Sequence, residues 1–237
     1  MMTSFTRQVF HFSSLSLNKW SDLHAIAMLV TVLLCVFFSS LKLLIFVAAL
    51  SFLCLILSHL KLLTQYRVFA GLANWVTFSR LVITMLALIN YSNIATQTLF
   101  TLMALALVLD VVDGFAARKL SQSSEFGRVF DMEADAFFVM ALGLYFYFTT
   151  NLGSWLLLPG LMRYAYRLCV LLFPKTGFNE SKKRYAATLA GVNFVILVAA
   201  IVLPSNIQTP ALVISTCIVV FSFGISFIEY FGYADHH

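Results

Sequence analysis

Four aspartates, Asp110, Asp113, Asp131 and Asp135, lie in one short run, DVVDGFAARKLSQSSEFGRVFDMEAD. Apolar segments flank it, TLMALALVL before and AFFVMALGLYFYF after. Carboxylates at the edge of hydrocarbon are costly and mark functional sites in membrane chains. A helix turns about 100° per residue, so Asp110, Asp113, Gly114 and Ala117 fall on one stripe of a helix ending near Arg118. Gly127, Asp131 and Asp135, spaced i, i+4, i+8, share a face of the next helix. The run KLSQSSEF between them is polar enough to be a turn. Two antiparallel helices then direct four carboxylates at one place. Such a cluster repels itself unless protons or cations neutralise it. Oxygen ligands without His or Cys favour Mg²⁺ or Mn²⁺ over zinc.

The elements that carry these residues are membrane helices. The chain has 237 residues, 61% hydrophobic and only 11% charged, with a mean hydropathy of +0.93. A soluble domain carries about 25% charged residues. The composition therefore predicts a polytopic, all-α membrane protein. The net charge of +5 reports the excess of cations in cytoplasmic loops. No basic stripe with interleaved aromatics is present, so no nucleic-acid partner is expected. Cys35, Cys54, Cys169 and Cys217 stand alone in apolar runs, with no CxxC and no histidine at ligand spacing, and read as apolar packing residues.

Residues 1–61 are expected to hold two N-terminal transmembrane helices, hinged near Ser39–Lys42. Within them, residues 1–23 read as an interfacial segment. Residues 62–74 read as a juxtamembrane helix. Six spans follow in a core of residues 75–237, at about 75–92, 97–118, 128–149, 153–173, 185–203 and 209–231. The connections NYSNIATQ, TTNLGS and LPSNIQTP carry no charge, whereas the alternate ones hold Lys61, Arg67, Arg118, Lys119, Arg128 and the group from Arg163 to Arg184. That alternation sets both termini and the aspartates on the cytoplasmic side; the expected location is a bacterial inner (plasma) membrane.

The aspartate run matches D-x2-D-G-x2-A-R-x8-G-x3-D-x3-D at every fixed position: Asp110, Asp113, Gly114, Ala117, Arg118, Gly127, Asp131 and Asp135. In this it resembles the CDP-alcohol phosphatidyltransferases, whose layout of a juxtamembrane helix and six spans fits residues 66–237. The resemblance implies transfer of a phosphatidyl-type group from a CDP-alcohol, most often CDP-diacylglycerol, to a polar alcohol acceptor, with release of CMP. It also implies a homodimer and two Mg²⁺ or Mn²⁺ ions. Asp110, Asp113 and Asp131 would hold the first, and Asp110, Asp131 and Asp135 the second. Asp135 would also take the acceptor's proton as the catalytic base. Gly114, Ala117 and Gly127 would give a nucleotide clearance against helix backbone. Arg118 offers a planar fork for diphosphate, and the resemblance adds Ser124 in the turn.

Upstream, Asn74, Thr77 and Arg80 match an N-x-x-T-x-x-R start to the first core helix. This suggests Asn74 and Thr77 for the cytidine side, with helix capping as the competing reading. Ala73 stands where relatives often have Pro. Arg163, Arg167, Lys182, Lys183 and Arg184 are candidates for an acceptor phosphate or lipid head group. Cations that open a helix oppose its dipole unless an anion is near. Met132 and Ala136 depart from glycerophosphate-using members, and the eight-residue spacer departs from choline-using ones; serine and inositol-type acceptors stay open. Two other readings remain. An intramembrane prenyltransferase would need a second, distant acidic motif. A divalent-cation transporter would need acids on several spans.

Overall fold

The computed structural model describes residues 4–65, 72–120, 124–175 and 184–233, with side chains described for 16–59, 74–109, 124–175 and 186–233. Among the described residues there are eight α-helices and no strand. They are α1 (Ser4–Phe38), α2 (Leu41–Gln65), α3 (Leu72–Ile89), α4 (Thr96–Leu120), α5 (Glu125–Thr149), α6 (Leu158–Leu172), α7 (Arg184–Ala200) and α8 (Ser205–Gly232). A 3-10 turn, Ser154–Leu157, leads into α6.

Local chemistry explains the breaks. Ser39 adopts φ 49° at the end of α1, and the Ser40 amide donates to the Cys35 carbonyl at 3.0 Å. This is a left-handed C-terminal cap, and it reverses the chain where the serine pair interrupts the apolar block. Ser124 caps α5, its hydroxyl accepting from the Gly127 amide at 3.0 Å. Glu125 in the first turn adds a favourable charge at the positive end of the helix dipole. Pro159 sits in the first turn of α6, where its missing N–H is harmless.

Helix α5 is the axis of the bundle. Every residue from Ala136 to Phe146 is buried, and α1, α2, α3, α6 and α7 all pack on it. Two glycines bring neighbouring backbone close. A Cβ on Gly160 would lie 2.5 Å from Met140 Cα, and one on Gly143 would lie 2.7 Å from the Leu156 carbonyl oxygen. Small residues at such crossings are how helices associate where lipid offers no hydrophobic drive. The periphery is apolar instead: Phe37, Phe46 and Ile228 are largely exposed. In lipid that surface is solvated, which a water-exposed surface of this composition would not be.

Among the described residues, four stretches are long and apolar enough to cross a membrane: Ser16–Phe38, Leu41–His59, Ser154–Leu172 and Ser205–Gly232. Asn74–Ile89, Thr96–Leu109 and Ala186–Ala200 are shorter apolar helices. The chain is an all-α membrane protein. At the N-terminus the structure differs from the expected interfacial segment. Residues 16–23 belong to the unbroken α1, because Leu17, Ser21 and His24 are buried against the bundle. Of the expected juxtamembrane helix, residues 62–65 extend α2 and residues 72–74 open α3; residues 66–71 lie outside the described ones.

Candidate functional site

The site begins where α3 and α5 run side by side in the same direction. Their contacts climb in step. Near the start, Asn74 lies against Gly127, whose hypothetical Cβ would sit 2.7 Å from Asn74 Oδ1 and 3.1 Å from Ser124 Oγ. One turn on, the Thr77 hydroxyl donates a long bond of 3.5 Å to Asp131 Oδ1. Next, Arg80 Nη2 lies 2.9 Å from Asp131 Oδ1 and 2.8 Å from Asp135 Oδ1. The i, i+3, i+6 series on α3 thus meets the i, i+4, i+8 series on α5.

Exposure differs sharply across this seam. The Arg80 side chain is 6% exposed, whereas Asp131 is 45% and Asp135 32% exposed. The guanidinium is buried and the two carboxylates are half-buried, with the Asp135 oxygen that meets Arg80 itself out of solvent. A buried guanidinium is tolerable because two carboxylates compensate it. Those two oxygens converge on one nitrogen. Carboxylate oxygens are the donor type that Mg²⁺ or Mn²⁺ takes, so the chemistry of the pair is compatible with such an ion, while its charge is here compensated by Arg80.

Asp110, Asp113, Gly114, Ala117 and Arg118 lie on the last turns of α4. Their side chains lie outside the described ones, so the convergence of four carboxylates is described for two. Helix α3 packs on both α4 and α5, and so it adjoins both halves of the motif. Among the described residues no group of three or more His, Cys, Asp or Glu is placed to hold a metal.

The other candidates divide. Ser124 is the α5 cap. Arg163 and Arg167 do share one face, as their i, i+4 spacing predicts, but both already have partners. Arg163 Nη2 lies 3.0 Å from Glu133 Oε1. Arg167 Nε lies 2.6 Å from Asp22 Oδ1, and its Nη2 donates to the Asn18 carbonyl at 3.2 Å. Lys182 and Lys183 lie outside the described residues, and Arg184 is the first residue of α7, its side chain undescribed.

Three participants were not assigned from sequence. Arg80 stood in the N-x-x-T-x-x-R series without a role. Glu133 lies between two motif aspartates, yet about 200° around the helix from each. Ser21 of α1 donates to Glu133 Oε1 at 2.6 Å. The usable signal was charge in apolar helices: an arginine such as Arg163 there needs a carboxylate, and Glu133 was available.

No curated protein and no solved structure matches the chain. The family model described as CDP-alcohol phosphatidyltransferase matches residues 70–231, from just before α3 into the last turns of α8. That match covers more than two thirds of the chain and contains the whole α3–α5 seam, so the chain belongs to the CDP-alcohol phosphatidyltransferase family, membrane transferases that move a substituted phosphate group from a CDP-alcohol to an alcohol.

Proposed function

We propose that the protein transfers a phosphatidyl group from a CDP-diacylglycerol-like lipid to the hydroxyl of a small polar alcohol, releasing CMP, at a site open to the cytoplasm and the inner leaflet. One observation carries this beyond family membership. Asp131 and Asp135 present half-buried carboxylates that converge over the buried Arg80 guanidinium, and they belong to a motif complete at every fixed position.

The residues take the following parts. Asp110, Asp113, Asp131 and Asp135 would hold Mg²⁺ or Mn²⁺. Such ions, when bound, neutralise the diphosphate and favour ionisation of a nearby hydroxyl. Arg80 keeps Asp131 and Asp135 pointing the same way. Gly127 lets Asn74 lie flat against α5 and keeps that face low; with Gly114 and Ala117 it gives a nucleotide room. Thr77 and Arg118 add hydrogen-bond donors. Asp135 takes the acceptor's proton as the acceptor oxygen bonds to the phosphorus of the phosphatidyl group. The phosphorus–oxygen bond to CMP breaks, and CMP carries away the electron pair. Much of the catalysis is positioning and charge compensation, as phosphoryl transfer requires.

The ion pairs of Arg163 and Arg167 consume both charges within the fold. Lys182, Lys183 and Arg184 remain the proposed contacts for an anionic acceptor or head group. The family resemblance supports a homodimer. Purified protein should release CMP from CDP-diacylglycerol when serine, inositol, inositol phosphate, glycerol phosphate or choline is supplied. An Asp131→Asn variant should not. Full turnover by that variant would remove Asp131 from the reaction and the metal role with it.

A further inference from the structure

The N-terminal helix α1 precedes the region that the family model matches, yet it reaches the helix that carries half of the motif. Ser21 Oγ donates to Glu133 Oε1 at 2.6 Å, and Arg163 Nη2 contacts the same oxygen at 3.0 Å. Ser21 is 2% and Glu133 1% exposed. Beside them Asp22 pairs with Arg167. His24 on the next turn hydrogen-bonds to Ser51 Oγ of α2 at 2.8 Å and stacks on Trp20. The middle of α1 is thus fixed to α2, α5 and α6 by a polar seam inside an otherwise apolar bundle.

We propose that Glu133, gripped by Ser21 of α1 and Arg163 of α6, is a positioning residue for Asp131 and Asp135, which makes α1 a working part of the transferase. The proposal rests on the function assigned above to those two aspartates. Its physical basis is rotational. Glu133 is about 200° around α5 from each aspartate, so α5 is held by Arg80 on one face and by Ser21 and Arg163 on the opposite one. A helix with side chains has a radius of about 5–6 Å. A turn of only about 20° would carry the carboxylates roughly 2 Å, and misplacement of about 1 Å can cost about 100-fold in rate.

Apolar packing alone would hold α1 in place at no desolvation cost, since replacing a buried ion pair by apolar residues is often neutral or stabilising. What a hydrogen-bonded pair adds is a single setting of the helix. Here the grip is narrow. Glu133 Oε1 takes both contacts, while Glu133 Oε2 and Arg163 Nε have no hydrogen-bond partner. Among the described residues, the hydroxyl of Ser21 therefore supplies one of two hydrogen bonds to the carboxylate.

The test uses full-length protein in detergent. Two quantities are read: Mn²⁺ affinity by electron paramagnetic resonance, with no substrate present, and CMP release from CDP-diacylglycerol with the five-alcohol mixture named above. Ser21→Ala should lower kcat about 10-fold, and Glu133→Gln about 100-fold, with KM for the lipid nearly unchanged. Both should weaken Mn²⁺ binding. Ser21→Thr, which keeps the hydroxyl, should restore both readouts. Thr31→Ala is the control. Thr31 is equally buried on α1 and bonds only to its own helix, at the Ala27 carbonyl, so its loss should lower thermal stability and leave both readouts alone. If Glu133→Gln does not fold, Ser21→Ala decides. Ser21→Ala with wild-type kcat and Mn²⁺ affinity overturns the proposal, as does a loss that Thr31→Ala reproduces. Wild-type protein that neither binds Mn²⁺ nor releases CMP overturns the site assignment and this proposal together.

Discussion

Arg80 and Asp131, 51 residues apart, meet across the α3–α5 seam at 2.9 Å. The same guanidinium nitrogen reaches Asp135 at 2.8 Å. Two like charges one helical turn apart would otherwise push their side chains apart. A hydrogen bond to a charged group contributes about 1.5–3 kcal/mol. Arg80→Ala should therefore lower kcat/KM for CMP release by about 10-fold or more. Arg80→Lys keeps the charge but not the planar fork, so it should recover part of the loss. Steady-state kinetics on the two purified variants check the order, wild type above Lys above Ala.

Gly127 and Asn74 make a steric prediction at the base of the same seam. The methyl of Gly127→Ala would fall 2.7 Å from Asn74 Oδ1 and 3.1 Å from the capping Ser124 hydroxyl. Something must move, and the atoms at risk are the Asn74 amide and the cap. Overpacking of this kind costs about 1–3 kcal/mol. Gly127→Ala should lower both thermal stability and CMP release. Adding Asn74→Ser, which shortens the obstructing side chain, should return the stability. Thermal melts of the single and double variants give the comparison.

The α5–α6 crossing predicts a larger effect at Gly160. A Cβ there would meet Met140 at its Cα, 2.5 Å away. Backbone cannot swing aside as an amide can. Gly160→Val should separate the two helices and with them the Glu133–Arg163 pair, whose disruption strands a buried charge at about 3–5 kcal/mol. Loss of the monodisperse peak in size-exclusion chromatography is the expected result. A folded, active Gly160→Val protein would show that α6 is not held so closely.

The sequence reveals faces better than it reveals partners. The i, i+4, i+8 spacing of Gly127, Asp131 and Asp135 marked one side of α5, and the serine pair at 39–40 marked the reversal between α1 and α2. Both follow from local geometry and need no knowledge of neighbours. Arg80 is different: its series was visible, but periodicity does not say which helix a face will meet. Glu133 was overlooked for a related reason. The motif drew attention to the aspartates, while Glu133 points the other way, to a serine 112 positions earlier. Composition alone does not say whether the two N-terminal helices face lipid or pack on the core, because both kinds of helix are equally apolar. Ser21, Asp22 and His24 were the distinguishing residues, polar groups that a lipid-facing helix would not bury.

Removal of metal gives the last prediction. Asp131 and Asp135 carry two formal charges against the one of Arg80, and Asp110 and Asp113 lie on α4 beside α3. The substrate diphosphate adds further negative charge to these four carboxylates. Without divalent ions the lipid's diphosphate would approach an anionic site, and phosphoryl transfer depends on compensation of exactly that kind of charge. Treatment with EDTA should abolish CMP release, and Mg²⁺ or Mn²⁺ should restore it while Zn²⁺ should not, given a ligand set of oxygens alone. Because Arg80 still bridges Asp131 and Asp135, the metal-free protein should keep its helical content by circular dichroism. Activity that survives exhaustive chelation would mean that Arg80 and Arg118 compensate the diphosphate by themselves.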